Sequence, residues 1–164
     1  MTQGQHLAEA LEAYFSRTDN GWFTPLTVAM DELTAQQAVQ VPAPRFNSVW
    51  AVVNHVSMCQ EVALLWLRKL SVDRKALGAE DDWPPPAAPP TEQAWQAARE
   101  KAIRLNKELV DYVAALSDAE LGEPLRENGP TRYRLIQGVL AHNSYHTNEI
   151  ISIRHDLGWW VKES

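Results

Sequence analysis

A single cysteine, Cys59, among 164 residues excludes an intramolecular disulfide and a thiolate-based metal cluster. No run approaches the roughly 18 consecutive apolar residues that a membrane-spanning helix requires. Basic residues are few and scattered: 15 Lys and Arg stand against 21 Asp and Glu, for a formal net charge of −6. That balance argues against nucleic acid as a partner, because displacing phosphate counterions takes clustered cations. It argues equally against an anionic membrane surface. Met1 to Phe15 carries no basic segment followed by an apolar stretch, so no secretory signal is expected and a cytoplasmic location is the default. Strand signals are weak as well, since period-2 alternation never persists. No internal repeat and no low-complexity tail is found.

What is present is ordinary globular composition, 45% hydrophobic and 22% charged, at a length suited to one domain spanning residues 1–164. Seven tryptophans are many for so short a chain. Each buries a large area, so most are expected in the core or at an interface. Together with a wide apolar arc on the second helix, they point to a homodimer.

The long segments read at helical period, which predicts an all-α chain of four helical stretches. The first runs from about Gln5 to Leu33, with Asp19-Asn20-Gly21 as a possible break and Pro25 as a kink or a new start. Thr34 to Asn47 is a link, extended near Pro42 and Pro44. The second helix begins at Asn47 or Ser48, either a good N-cap, and continues to about Leu70. The third follows Thr91 and reaches about Leu116, with Ser117-Asp118 as a turn. The fourth opens at Thr131 and ends at Leu157, with Gly158 as the expected left-handed C-cap. The Ser71–Pro90 connection is the longest. The second helix should be about 33 Å long, and twenty extended residues span on the order of 60 Å, so this link can cross the full length of a bundle. The second and third helices can therefore run parallel.

The strongest chemical signal lies in the fourth helix. Steps of four and three from Leu135 give Val139, His142, His146, Glu149 and Ile153. The apolar members suit a core seam, but three consecutive polar layers interrupt it, and each unpaired polar group costs a few kcal/mol to bury. A metal ion would compensate them, since histidines at i and i+4 project from one face and reach one ion. Two histidines satisfied by water or carboxylates are the competing reading. The second helix supplies a third candidate, His55, on a stripe of Val52, Cys59, Val62 and Trp66. Beside it runs a wholly apolar stripe of Val49, Val53, Val56, Ala63 and Leu67. Taken alone, a histidine there is more often a satisfied core residue than a ligand. His6 and His155 are expected to face solvent.

The segments Asn47-Ser48-Val49-Trp50 to His55-Val56, and Ala141-His142-Asn143-Ser144-Tyr145-His146 to Ile150, resemble the DinB/YfiT-like superfamily of metalloenzymes. Its pattern is a histidine in the second helix after a proline-rich lead-in, and an H-x-x-x-H pair in the fourth. The tail from Ile153-Arg154 to Gly158-Trp159-Trp160 is similar to the family's usual close. The resemblance implies an up-down-down-up four-helix bundle with His55, His142 and His146 as ligands of a divalent metal, zinc or nickel. It also implies thiol chemistry, since the active relatives include mycothiol-dependent maleylpyruvate isomerase and transferases of bacillithiol and other low-molecular-weight thiols. One departure stands out. The family often continues the second histidine with x-G-Q-I, where this chain has Thr147-Asn148-Glu149-Ile150.

Three imidazoles leave an ion fully charged with a position open for water or substrate, as in catalytic rather than structural sites. Such an ion lowers the pKa of a bound water or thiol toward neutrality. Glu149 is the nearest carboxylate, as a partner of a ligand, a fourth ligand, a proton acceptor or a plain surface residue. Cys59 is expected to be a buried, apolar-like thiol rather than a ligand or redox sensor. Position 143 is asparagine, so the H-E-x-x-H peptidase motif is not met. The expected function is activation of a low-molecular-weight thiol or water for transfer to a small electrophile. A non-catalytic metal-binding protein of the stress response is the alternative, and a metal-free helical module a third.

Overall fold

Side-chain caps set where the helices begin. The computed structural model describes residues 1–19, 22–73, 75–77 and 83–161. Thr2 opens α1 (Gln3–Phe15) and Thr34 opens α3 (Ala35–Ala38), each in a capping box with the glutamine three residues on. Ser48 caps α4 (Val49–Leu67), Thr91 caps α5 (Glu92–Ala114), and Thr131 caps α7 (Arg132–Asp156). Two short pieces complete the set, α2 (Leu26–Ala29) behind Pro25 and α6 (Asp118–Gly122) behind Ser117. No strand occurs among the described residues, and no helix there is long and apolar enough to cross a membrane.

Four of these helices match the expected stretches, and the differences are local. Pro25 starts a new helix rather than kinking a long one, so the first stretch is α1 plus α2. Asn20 and Gly21 of the anticipated break lie outside the described residues. The expected link holds α3, whose Thr34-x-x-Gln37 box outweighs the nearby prolines. Ser117-Asp118 begins a helical turn instead of a bare turn, again through a capping box, with Glu120. Gly158 does take the left-handed conformation after α7, at φ 79°.

Side-chain pairs give the helix directions. Trp50 and Trp95, at the starts of α4 and α5, meet at 5.3 Å between ring centroids, and Tyr112 Oη donates to the Leu67 carbonyl at their far ends. The two helices thus run the same way, as a crossing link requires. Arg132, at the start of α7, donates to the Leu67 carbonyl at the end of α4, so α7 opposes α4. The start of α1 meets the end of α5: a Cβ on Gly4 would stand 2.6 Å from the Leu116 carbonyl oxygen, an approach that only glycine permits. Both α1 and α4 pack on α5 and α7, closing a four-helix arrangement.

The core divides into two apolar clusters. One gathers Phe15, Leu26, Met30, Trp50, Trp95 and Ile150; the other Leu11, Leu64, Leu67, Leu109 and Ile136. Between them in sequence on α4 and α7 stands a buried polar set of Gln60, Asn143, His146 and Thr147. Asn106 on α5 is buried as well. Thr147 returns its hydroxyl to the Asn143 carbonyl, but the amides of Gln60 and Asn143 meet no hydrogen-bond partner. The buried line of α7 is Ile136, Val139, Asn143, His146, Thr147 and Ile150. It is turned by about one residue from the expected seam, which leaves Leu135, His142 and Glu149 half-buried. On α4 the stripe of Val49, Val53, Val56, Ala63 and Leu67 is the core line, while that of His55 runs to exposed Trp66. The tryptophans split accordingly: Trp50 and Trp95 are buried, whereas Trp22, Trp66 and Trp160 are exposed.

Candidate metal centre

Because α4 and α7 run antiparallel in contact, the middle of each faces the other. His55 on α4 thereby meets His142 and His146 on α7. Its Nε2 stands 3.1 Å from Nε2 of His142, and each of the three rings offers a nitrogen within 4.8 Å of the others. The nitrogen that His146 offers is fixed by its other one. A carboxylate can only accept, so His146 Nδ1 carries a proton and donates to Glu149 Oε2 at 2.7 Å. That leaves the lone pair on Nε2, which is buried without a hydrogen-bond partner. Glu149 is held in turn by Asn47, whose side-chain amide donates to Oε1 at 3.0 Å. The chain Asn47–Glu149–His146 sets the tautomer and ring orientation of one histidine before anything binds.

A second wall comes from the α4–α5 link. Trp83 lies flat on His55, with ring centroids 4.1 Å apart and planes 14° from parallel, and presents its edge to His146 at 5.8 Å. Asn54 pins this strap by donating to the carbonyls of Pro84 and Pro85. Asp81 and Asp82, just before it, lie outside the described residues. Tyr145 stands over His142 and His146 from the solvent side, its rings' centroids 5.2 and 4.2 Å from theirs. Cys59 Sγ is 3.6 Å from His55 Nε2, beside the triad rather than remote from it.

Two of the three histidines, His142 and His146, are held toward the neutral form. Burial, followed by the neighbouring His146 and His55, pushes the His142 pKa down from 6.5 to about 4. Asn143 opposes this weakly without reaching hydrogen-bond geometry. Burial lowers His146 too, against the pull of Glu149. Neutral imidazoles with converging lone pairs are what a divalent ion needs. Two nitrogens about 2.1 Å from one tetrahedral ion stand about 3.4 Å apart, close to the separation of His55 and His142. An orphaned buried nitrogen on His146 completes the fit. These three histidines could hold a divalent metal ion.

A model of the DinB superfamily matches residues 17–150, which include every residue of this centre. The chain belongs to the DinB superfamily. No curated protein and no solved structure matches it. The superfamily match ends before Arg154 and Gly158. In this member Arg154 is a buried clamp, donating to the carbonyls of Ala29, Asp31 and Trp159.

The structure brings together the three histidines read from the sequence, with Glu149 beside His146, and adds three supports that sequence reasoning missed. Asn47 was visible only as a possible cap, yet Ser48 does the capping and Asn47 reaches Glu149. Trp83 was hidden in a linker, where only an aromatic amid prolines could have hinted at a strap. Tyr145 carried no signal beyond lying inside the H-x-x-x-H segment. Of the two remaining histidines, His6 is exposed as expected. His155 is not: it is half-buried against Trp160, at 4.2 Å between centroids, because the chain folds back after Gly158. Asn148, where the family often has glycine, is exposed.

Proposed function

We propose that this DinB-superfamily protein is a metal-dependent enzyme that activates a low-molecular-weight thiol or water for transfer to a small electrophile. The observation that carries this reading is the buried, partnerless Nε2 of His146, converging with His55 and His142. His55, His142 and His146 are the proposed ligands, and zinc or nickel the proposed ion, since imidazole suits both. A bound ion would supply Lewis acidity, bringing a thiol or water toward its anionic form at neutral pH. Glu149 keeps the His146 proton on Nδ1, and so keeps Nε2 available as a donor. Trp83 shields the His55 face from water. Tyr145 places a hydroxyl-bearing ring at the solvent side, where an incoming thiol would pass.

A cavity of about 350 Å³ reaches His142 and Cys59, which favours turnover over sealed storage of an ion. We further propose a cytoplasmic homodimer; exposed Trp22 (92%) and Trp160 (71%) support an interface. The test is elemental analysis of protein purified without a histidine tag, followed by thiol-conjugation assays on loaded and metal-free protein. One ion per chain and thiol-dependent turnover only when loaded are expected. One ion with equal rates in both samples would leave a non-catalytic metal-binding protein.

A further inference from the structure

The cavity at His142 does not end there. It runs between α4 and α7 along Met58, Val62, Ala63, Leu135, Gly138 and Val139 to Arg134. Trp66 and Pro130 then form a wall shared with a second cavity of about 480 Å³, which Lys69, Leu70, Leu125 and Arg126 line. Sharing Trp66 and Pro130, the two cavities adjoin as an apolar groove, with His142 lining the first. Eight residues of α7 separate His142 from Arg134, about 12 Å of helix.

Charge along this groove is one-sided. No carboxylate lines either cavity among the described residues, although the chain as a whole carries a net charge of −6. The charged side chains there are Arg134, Arg126 and Lys69. Lys69 is paired with Glu123 at 3.1 Å. No ion pair holds Arg134 or Arg126 among the described residues. An arginine at the end of an apolar trough recognises a carboxylate, which its planar fork can hold through two hydrogen bonds.

The groove floor carries an independent mark. Gly138 sits inside α7, about two turns from its start, where glycine weakens a helix. No neighbour requires it: a Cβ there would meet nothing within 4 Å. What a side chain at 138 would occupy is the groove itself, which Gly138 lines.

We propose that this groove binds the non-reacting part of the substrate, an elongated apolar molecule closed by a carboxylate at the Arg134–Arg126 end. This rests on the reading above only for which end reacts; binding of the apolar acid needs no metal.

The experiment is calorimetric titration of the full chain, metal-loaded and metal-free, with decanoate and with decylamine, below their micelle-forming concentrations. Decanoate is expected to bind both forms with affinities within a few-fold of each other, and decylamine at least about tenfold more weakly. Gly138→Leu should abolish decanoate binding while keeping metal stoichiometry and without lowering the unfolding midpoint. Arg134→Gln should weaken it about tenfold, and Arg134→Lys should recover part of the loss. No binding of decanoate, equal binding of the amine, or unchanged binding in Gly138→Leu would each overturn the proposal. Binding only in the loaded form would also overturn it, since the carboxylate would then sit on the ion. Metal stoichiometry on the same samples tests the histidine site separately, so the two readings fail independently.

Discussion

Glu149 accepts a hydrogen bond from Nδ1 of His146 at 2.7 Å, three residues back along the same helix. One turn of α7 thus holds both an imidazole and the group that fixes its proton. The relatives implied by resemblance often carry glutamine at this position. A glutamine can still accept from Nδ1 through its carbonyl, but without the charge that makes the bond strong.

Replacing Glu149 therefore separates orientation from charge. Glu149→Gln is expected to bind metal several-fold more weakly. Glu149→Ala, which leaves Nδ1 without an acceptor, should lose on the order of ten- to a hundredfold. Competition against a chelating dye measures both. Equal affinity in the alanine variant and wild type would remove Glu149 from the centre.

Trp83 gives a second prediction. Its ring covers one face of His55, and Asn54 anchors the strap behind it. Trp83→Ala should admit water to that face, speed metal release to a chelator about tenfold and lower affinity in proportion. Asn54→Ala should act in the same direction and less strongly. Unchanged release rates in Trp83→Ala would show that the strap does not seal the centre.

The pH dependence of the metal-free protein follows from His142. Folding lowers its pKa from 6.5 to about 4, so between these values the unfolded chain binds more protons than the folded one. Stability from this group is complete above 6.5 and is lost as pH falls toward about 4; His146 is shifted in the same direction. The urea midpoint of metal-free protein should be flat from about pH 8 to about pH 7 and then drop. His142→Ala should make the drop shallower. A midpoint that stays constant down to about pH 5 would contradict the burial that the structure assigns.

How much of this was legible in the sequence depended on how local each signal was. Ser48, Thr91 and Thr131 each cap the helix that follows, so three long helices began within a residue of where they were read. The short helices α3 and α6 were missed because their capping boxes stood among prolines or turn residues, and a single turn shows no periodicity. The histidines were legible because polar residues at core spacing are costly unless something satisfies them. The orientation of α7 was harder. Steps from Leu135 and from Ile136 both give plausible seams, and only packing against α1 and α4 chooses the second. That choice leaves His142 at the core's edge, where a cavity can reach it. Asn47, Glu149 and Trp83 converge from segments up to 102 residues apart, and no pattern within one segment encodes such a meeting.

The buried face of α4 contains one residue whose presence the triad does not explain. Gln60 on α4 is completely buried, and neither atom of its amide finds a hydrogen-bond partner. Leaving such a group unsatisfied costs about 1–3 kcal/mol. Methionine has nearly the same length, lacks the branched polar amide, and is flexible enough to settle into the same space. Gln60→Met should therefore stabilise the protein by about 1–2 kcal/mol. In a chain of this size that raises the thermal midpoint by roughly 2–8 °C. Gln60→Ala removes the same amide but opens a cavity, so it should gain less or lose stability. Metal stoichiometry should be unchanged in both, because the Gln60 amide makes no hydrogen bond to the histidines. A methionine variant less stable than wild type, with the alanine variant lower still, would mean that the amide is hydrogen-bonded in solution.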